Sequence, residues 1–263
     1  MKRIIAIANQ KGGVGKTTTA INLSACMAEQ GKRVLCIDMD PQGNTTSGLG
    51  IDKASLDCSV YDVLLGEKEA ADAIVHSGVE HLHVLPSTVE LTGAEIELLS
   101  FEDKEYLLRN QIGPLIRNDY DYILIDCPPS LSILTVNALS AADTVLVPIQ
   151  CEFYALEGLS QLMYTVNLIK ERLNPDLQVE GIVFTMYDSR TNLANDVVDS
   201  VERNLRLHIY NTKIPRNVRL AEAPSYGMPI NLYDSHSAGA KSYKKLAKEV
   251  IKRKGLRKKD RQS

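Results

Sequence analysis

The chain has no apolar run approaching the ~18 residues that a membrane span requires, which excludes an integral helical membrane protein. It has no CxxC pair. Its five cysteines, Cys26, Cys36, Cys58, Cys127 and Cys151, are odd in number, widely spaced and mostly set among apolar residues. That argues against a disulfide framework and reads as a reduced, cytoplasmic protein. No Pro/Ser-rich linker, low-complexity block or internal repeat divides the chain, so residues 1–251 read as one domain. Excess positive charge is also lacking, since the formal net charge is −3. Residues 252–263 carry Lys252, Arg253, Lys254, Arg257, Lys258, Lys259 and Arg261 against Asp260, a balance of +6 that leaves −9 on the body. An acidic body with a basic C-terminal tail permits a local basic surface, although a terminal charge run is first read as a solvated end.

At 263 residues, 44% hydrophobic and 24% charged, the chain has ordinary globular composition, which excludes wholesale disorder. The start, Met-Lys-Arg-Ile-Ile-Ala-Ile-Ala, meets Asn9, Gln10 and Lys11 where a signal peptide would place small residues, so it reads as a buried strand. Apolar runs of strand length recur at Arg3–Ala8, Arg33–Ile37, Tyr122–Ile125, Thr144–Ile149 and Val179–Thr185. Runs apolar on both faces belong to parallel strands covered by helices. Helical spacing is found at Thr17–Gln30, closed by Gly31, and at Glu105–Arg117, Ile133–Ala141, Leu156–Leu173, Leu193–Leu205 and Ala238–Lys254. The last of these carries Tyr243, Leu246, Ala247, Val250 and Ile251 on one stripe. Alternating strands and helices predict an α/β, doubly wound, mostly parallel sheet. Residues 50–104 are harder to place. Short helices at Val60–Leu65 and Ala70–Val75 and a strand at Leu82–Leu85 suggest an insertion on one edge.

The sharpest signal is Lys11-Gly12-Gly13-Val14-Gly15-Lys16-Thr17-Thr18, placed between the first strand and the first helix. It matches the P-loop pattern GxxxxGK[ST] except that Gln10 stands at the first glycine and Lys11 is an added lysine. Glycines without Cβ atoms let backbone N–H groups turn inward to cradle phosphate oxygens, and the following helix adds its positive end. Lys16 is expected on the β- and γ-phosphates and the Thr17 hydroxyl on Mg²⁺. Ile123-Leu124-Ile125-Asp126 ends a strand in an acid, the place for a carboxylate linked to that metal. In Asp38-Met39-Asp40-Pro41-Gln42-Gly43, Asp38 adds charge near the metal and Asp40 lies further out, where a carboxylate orients an attacking water. Asp-Pro and Gln-Gly are also turn formers, so Asp40 has a second reading as turn chemistry. The candidate metal residues are thus Thr17, Asp40 and Asp126, and the candidate catalytic residues Lys11, Lys16 and Asp40.

These three segments together resemble the ParA/MinD group of deviant P-loop ATPases. The segments 148–162 and 214–230 are similar to its chromosomal ParA branch, also called Soj. The likeness runs from Lys2 to about Lys252. It implies an ATPase that uses ATP and Mg²⁺ and forms a nucleotide-sandwich homodimer when ATP is bound, with Lys11 reaching the partner's phosphates. It matches Asp40 to the group's hydrolysis aspartate and Asp126 to its metal-linked one. By position, Met186 within Thr185-Met186-Tyr187, together with Pro215, Arg216 and Asn217, would flank the adenine. The resemblance further implies non-specific double-stranded DNA binding on the nucleoid, with Arg190 and Arg219 as contacts, and hydrolysis stimulated by a ParB-type centromere-binding protein.

Two alternatives remain open at this point. A MinD-like positioning ATPase would need a terminal amphipathic membrane helix. The stripe of the last helix is followed by Lys-Gly-Leu-Arg-Lys-Lys-Asp-Arg-Gln-Ser, whose one apolar residue is Leu256, so no stable membrane association is expected. A P-loop metabolic ligase would phosphorylate a carboxylate with the same loop. Cys127 and Cys151 read as small core hydrophobes. His81 and His83, alternating on one strand face, read as surface residues.

Overall fold

The computed structural model describes residues 2–253, so residues 254–263 of the basic tail lie outside the described residues. Seven strands form one sheet: β1 (Arg3–Ile7), β2 (Val34–Asp38), β3 (Val75–His76), β4 (Leu82–Leu85), β5 (Tyr122–Asp126), β6 (Thr144–Gln150) and β7 (Gln178–Thr185). Their order is β3-β4-β2-β5-β1-β6-β7, and every pairing is parallel except that of β3 with β4. The doubly wound, mostly parallel architecture follows from strands apolar on both sides. Ile4 and Ala6 enter the core on one face of the sheet, and Ile5 and Ile7 the core on the other. The same division separates Leu35 and Ile37 from Val34 and Cys36, and Ile123 and Ile125 from Tyr122 and Leu124.

The helices are α1 (Lys16–Ala28), α2 (Asn44–Gly48), α3 (Val60–Leu65), α4 (Ala70–Ala73), α5 (Leu91–Glu97) and α6 (Leu107–Asn118). They continue with α7 (Ile133–Ala141), α8 (Ala155–Arg172), α9 (Asn192–Asn204), α10 (Val218–Glu222), α11 (Ile230–Tyr233) and α12 (Ala238–Lys252). One core holds α1 and α12, and the other holds α3 to α9. The predicted stripe of the last helix is consumed there: Tyr243, Leu246, Ala247 and Val250 are buried, and α12 packs along α1. Among the described residues no helix is long and apolar enough to cross a membrane.

Residues 50–104 differ from expectation in three ways. β4 pairs in parallel with β2 and so belongs to the sheet. Val75, read as the end of a helix, instead starts β3, where it pairs with Val84. Residues 91–97 form α5, whose irregular apolar spacing carried no helical signal. His81 and His83 do not alternate on a strand face, because His81 sits before β4 in a left-handed conformation, φ 65°. His83 is half-buried, 2.7 Å from the Tyr120 hydroxyl through Nδ1, so it is not a surface residue.

At the opposite end of the sheet from the phosphate loop, a buried ion pair ties the two termini of the fold together. Arg3 Nη1 donates to Glu180 Oε1 at 2.7 Å and Arg3 Nη2 to the Val250 carbonyl at 2.6 Å. The Tyr210 hydroxyl donates to Glu180 at 2.9 Å, and Arg253 Nε lies 3.8 Å from the same carboxylate. Arg253, grouped with the basic tail in the sequence, is therefore drawn inward and largely covered. Removing the carboxylate would strand a buried guanidinium. Glu180→Ala should therefore cost about 3–5 kcal/mol in urea denaturation. A loss below about 1 kcal/mol, the range of a surface pair, would contradict this assignment.

Candidate active site

Sheet register builds the site. In the parallel pairs Asp126 stands beside Ile7 of β1 and beside Asp38 of β2. The carboxyl ends of these three central strands therefore deliver the phosphate loop, the Asp38–Asp40 segment and Asp126 to one crevice. The loop turns through Gly13 and Gly15, whose φ values of 75° and 86° lie where a Cβ is strained. The Thr185 hydroxyl, at the end of β7, donates to the Val14 carbonyl at 2.8 Å and pins the loop from the other side. α1 then begins at Lys16 with no side-chain cap, so its first N–H groups are left to whatever the loop holds.

The electrostatics are those of a buried charge cluster. Lys16 is 7% exposed and donates to the Lys11 carbonyl at 3.1 Å. Burial lowers its pKa, opposed by the negative charges of Asp126 and Asp40. Asp126 is fully buried, and its Oδ2 accepts from the Thr45 hydroxyl at 2.7 Å. Burial, then repulsion from Asp38, pushes its carboxyl up to about 7, with the Thr45 and Thr17 hydroxyls opposing. Asp38, also fully buried, is raised to about 6, first by burial. It is spent on structure, since it accepts from the Asp40 backbone at 3.2 Å and from the backbone and hydroxyl of Thr46, both at 2.8 Å. Among the described residues Asp126 Oδ1 is buried with no hydrogen-bond partner. A buried carboxylate oxygen left over beside Thr17 fits the donor set of a hydrated hard cation. Thr17 and Asp126 are thus the residues that could hold Mg²⁺, while Asp40, half-buried, accepts from the Gln42 backbone at 2.9 Å.

A cavity of about 250 Å³ lies beyond the loop, lined by Gly15, Thr18, Met186, Pro215, Arg216 and Asn217 among others. The structure thus brings the residues expected around a base onto one pocket next to the loop. The wall is held by backbone pairing, with the Tyr187 N–H donating to the Ile214 carbonyl at 3.0 Å and the Arg216 N–H to the Tyr187 carbonyl at 3.3 Å. Met186 has φ 49°, a strained backbone at a ligand-sized pocket. Sequence reading missed Ile214, Leu220, Ala221 and Tyr243, which with Thr185 complete the lining. Tyr243 sits on the buried stripe of α12, and only its hydroxyl, 3.1 Å from that of Thr19, sets it apart from a core residue.

Three candidate residues lie away from this cluster. Lys11 is 35% exposed and pairs with Glu152, with its ammonium 5.6 Å from the Tyr154 ring centroid. Arg190 is 86% exposed and chelates Asp188 at 2.9 and 2.6 Å. Arg219 pairs with Glu222 at 2.8 Å and Asp234 at 3.6 Å. Burial pushes the Cys127 thiol up and that of Cys151 to about 11, so both are neutral side chains at neutral pH.

A family model described as an AAA domain matches residues 2–179. The sporulation initiation inhibitor protein Soj of Bacillus subtilis is 56% identical over 250 residues, covering 95% of this chain and 98% of its own. The chromosome partitioning protein ParA of Myxococcus xanthus is 53% identical over 251 residues, covering 95% and 88%. A solved structure named cobyrinic acid a,c-diamide synthase, from Mycobacterium smegmatis with bound ADP and magnesium, superposes with a TM-score of 0.84 at 40% identity, covering 95% and 94%.

The raised carboxyls give a pH dependence. Between the unfolded value near 4 and the folded values near 6 and 7, the native protein binds more protons than the unfolded chain. Stability of the nucleotide-free, metal-free protein should therefore fall as pH rises from about 4 to 7, and Asp126→Asn should flatten the curve. Thermal unfolding across this range checks it, and a rising curve would contradict it.

Proposed function

The chain belongs to the ParA/Soj family of chromosome-partitioning ATPases, and from that membership we propose that it is an ATP-driven switch whose nucleotide state sets its dimerisation and DNA affinity. The observation that carries this reading is the division of labour between two lysines. Lys16 is buried within the field of Asp126, whereas Lys11 is half-exposed and pairs with Glu152. Lys16 would take the β- and γ-phosphates, the loop's N–H groups would cradle them, and Thr17 and Asp126 would hold Mg²⁺, which would supply positive charge to neutralise the phosphates. Asp40 orients the attacking water. Met186 and Pro215–Asn217 hold the adenine.

Lys11, already outside its own charge cluster, supplies the missing positive charge to the phosphates of a second copy. Exposed aromatic side chains adjoin it: its ammonium lies 5.6 Å from the Tyr154 ring centroid, and Phe153 meets Tyr154 edge-on, the two residues being 78% and 60% exposed. Apolar side chains grouped around a charged centre suit a protein interface. Dimerisation places two sets of Arg190 and Arg219 on one surface, where phosphates compete with Asp188, Glu222 and Asp234. Non-specific duplex DNA on the nucleoid is the expected ligand, and a ParB-type centromere-binding protein the expected activator of hydrolysis. A MinD-like role is disfavoured because the apolar stripe of α12 is already packed on the fold. The name of the mycobacterial structure keeps a ligase reading in view. Stimulation of turnover by a small carboxylic acid, instead of by DNA and a partner protein, would favour it.

Lys16→Ala should lower phosphate release at least 100-fold. Asp40→Ala should bind Mg-ATP, dimerise and stall, and Lys11→Ala should bind nucleotide without pairing productively. Size-exclusion and phosphate-release measurements test these together: full turnover by Lys11→Ala removes the trans-lysine mechanism, and full turnover by Asp40→Ala removes the water-orienting role of Asp40.

In mobility-shift titrations the ATP form should bind random duplex DNA more tightly than the ADP form. Arg190→Ala or Arg219→Ala should weaken this binding and lower the salt slope by about 1 for each phosphate no longer neutralised. Equal affinity of the two nucleotide forms would sink the switch.

A further inference from the structure

We propose that Ser87 and Lys53, which lie outside the phosphate loop and the two acidic segments, are positioning residues that clamp the Asp40 loop in register for hydrolysis. This deepens the reading of Asp40 as the water-orienting carboxylate and rests on it.

Three residues close a ring on the main chain of Asp40. The Asp40 N–H donates to Asp38 Oδ1 at 3.2 Å, and Asp38 Oδ2 accepts from the Thr46 N–H and hydroxyl at 2.8 Å each. The Thr46 hydroxyl in turn accepts from the Ser87 N–H at 2.9 Å, and the Ser87 hydroxyl donates to the Asp40 carbonyl at 2.8 Å. Asp38, Thr46 and Ser87 are each 0% exposed. Both backbone groups of Asp40 are therefore held by buried partners, the carbonyl accepting also from the Gly43 N–H at 2.8 Å, while its half-buried carboxylate accepts from the Gln42 N–H at 2.9 Å. Hydrogen bonds shielded from water hold geometry more firmly than exposed ones. Ser87 comes from the loop after β4, so the strand paired beside β2 supplies the outer support of a central catalytic segment.

Lys53 closes the loop from the other side. Its ammonium donates to the Gln42 carbonyl at 2.9 Å and to the Gly43 carbonyl at 3.3 Å. Gly43, with φ 61°, is wedged between the two clamps: a Cβ there would lie 2.7 Å from the Ser87 carbonyl and 2.9 Å from Lys53 Nζ. Beyond Lys53 the loop borders an open cavity of about 680 Å³, lined by Pro41, Gln42, Asp57 and Tyr61 among others. On that side the lysine's hydrogen bonds, not packing, restrain the turn. Misplacement of a reacting group by about 1 Å costs up to 100-fold in rate, so a clamp remote from the phosphates acts on kcat.

The test measures phosphate release at limiting and saturating Mg-ATP for full-length variants. Ser87→Ala should lower kcat about tenfold with KM for Mg-ATP unchanged within about twofold. Lys53→Met should lower kcat about threefold, with Lys53→Arg restoring it because the guanidinium keeps donors for the two carbonyls. In an Asp40→Ala background, single-turnover rates should show no further loss from Ser87→Ala, since the group being positioned is gone. The clamp is overturned by parent kcat in Ser87→Ala, by KM rising in step with the loss, or by an equal loss in the Asp40→Ala background. Should Ser87→Ala fail to fold, parent kcat in Lys53→Met overturns it. Full turnover by Asp40→Ala would remove the underlying reading of Asp40. A stalled Asp40→Ala beside a fully active Ser87→Ala removes the clamp alone.

Discussion

Two carboxylates side by side in a protein interior are the constraint on which this structure turns. The parallel register of β2 and β5 places Asp38 against Asp126 at the carboxyl edge of the sheet, both fully buried. Neither the burial nor the repulsion is favourable. The surroundings answer each differently. Asp38 is satisfied by backbone and hydroxyl donors and becomes part of the loop that follows it. Asp126 keeps one oxygen unpartnered, and Lys16 is buried nearby as the opposing charge. An arrangement that costs stability at rest suits a site whose incoming group brings its own positive charge.

The cations proposed to act on other molecules are arranged in the opposite way. Lys11, Arg190 and Arg219 are exposed or half-exposed, and each is engaged by a carboxylate of its own chain. The hydrogen bonds from Arg190 hold the Asp188 carboxyl well down, at about 2, so that pair stays ionised through the physiological range. An external phosphate then gains the difference between two ion pairs, not the whole of one. Such differences are small per contact at the surface, which suits binding that is multiplied by dimerisation and erased by salt.

Much of the architecture was legible because its causes are local. Doubly apolar strands, the Gly-rich loop between β1 and α1, and the stripe on α12 each carry their signal within a few residues. β1, β2, β5, β6 and β7 lie within a residue or so of their predicted bounds. The edge region was not legible for the same reason. β3 is two residues long and exists because β4 is beside it, and α5 has no regular stripe to announce it. His83 gives no sign in the sequence of its contact with Tyr120, 37 residues away.

The sequence by itself determined which groups are available for phosphate chemistry: the loop glycines, Lys16, Thr17, Asp40 and Asp126. Its pattern of strand, glycine turn and helix also determined where along the chain they stand. Tertiary structure alone decided what each group does in place, because burial and register are long-range properties. Only the pairing of β2 with β5 makes Asp38 and Asp126 neighbours and raises their carboxyls. Only the packing of the loop after β4 brings the Ser87 hydroxyl to the Asp40 carbonyl, across 47 residues of chain. A side chain's reactivity follows from the dielectric and the charges around it, and those are assembled only when distant segments meet.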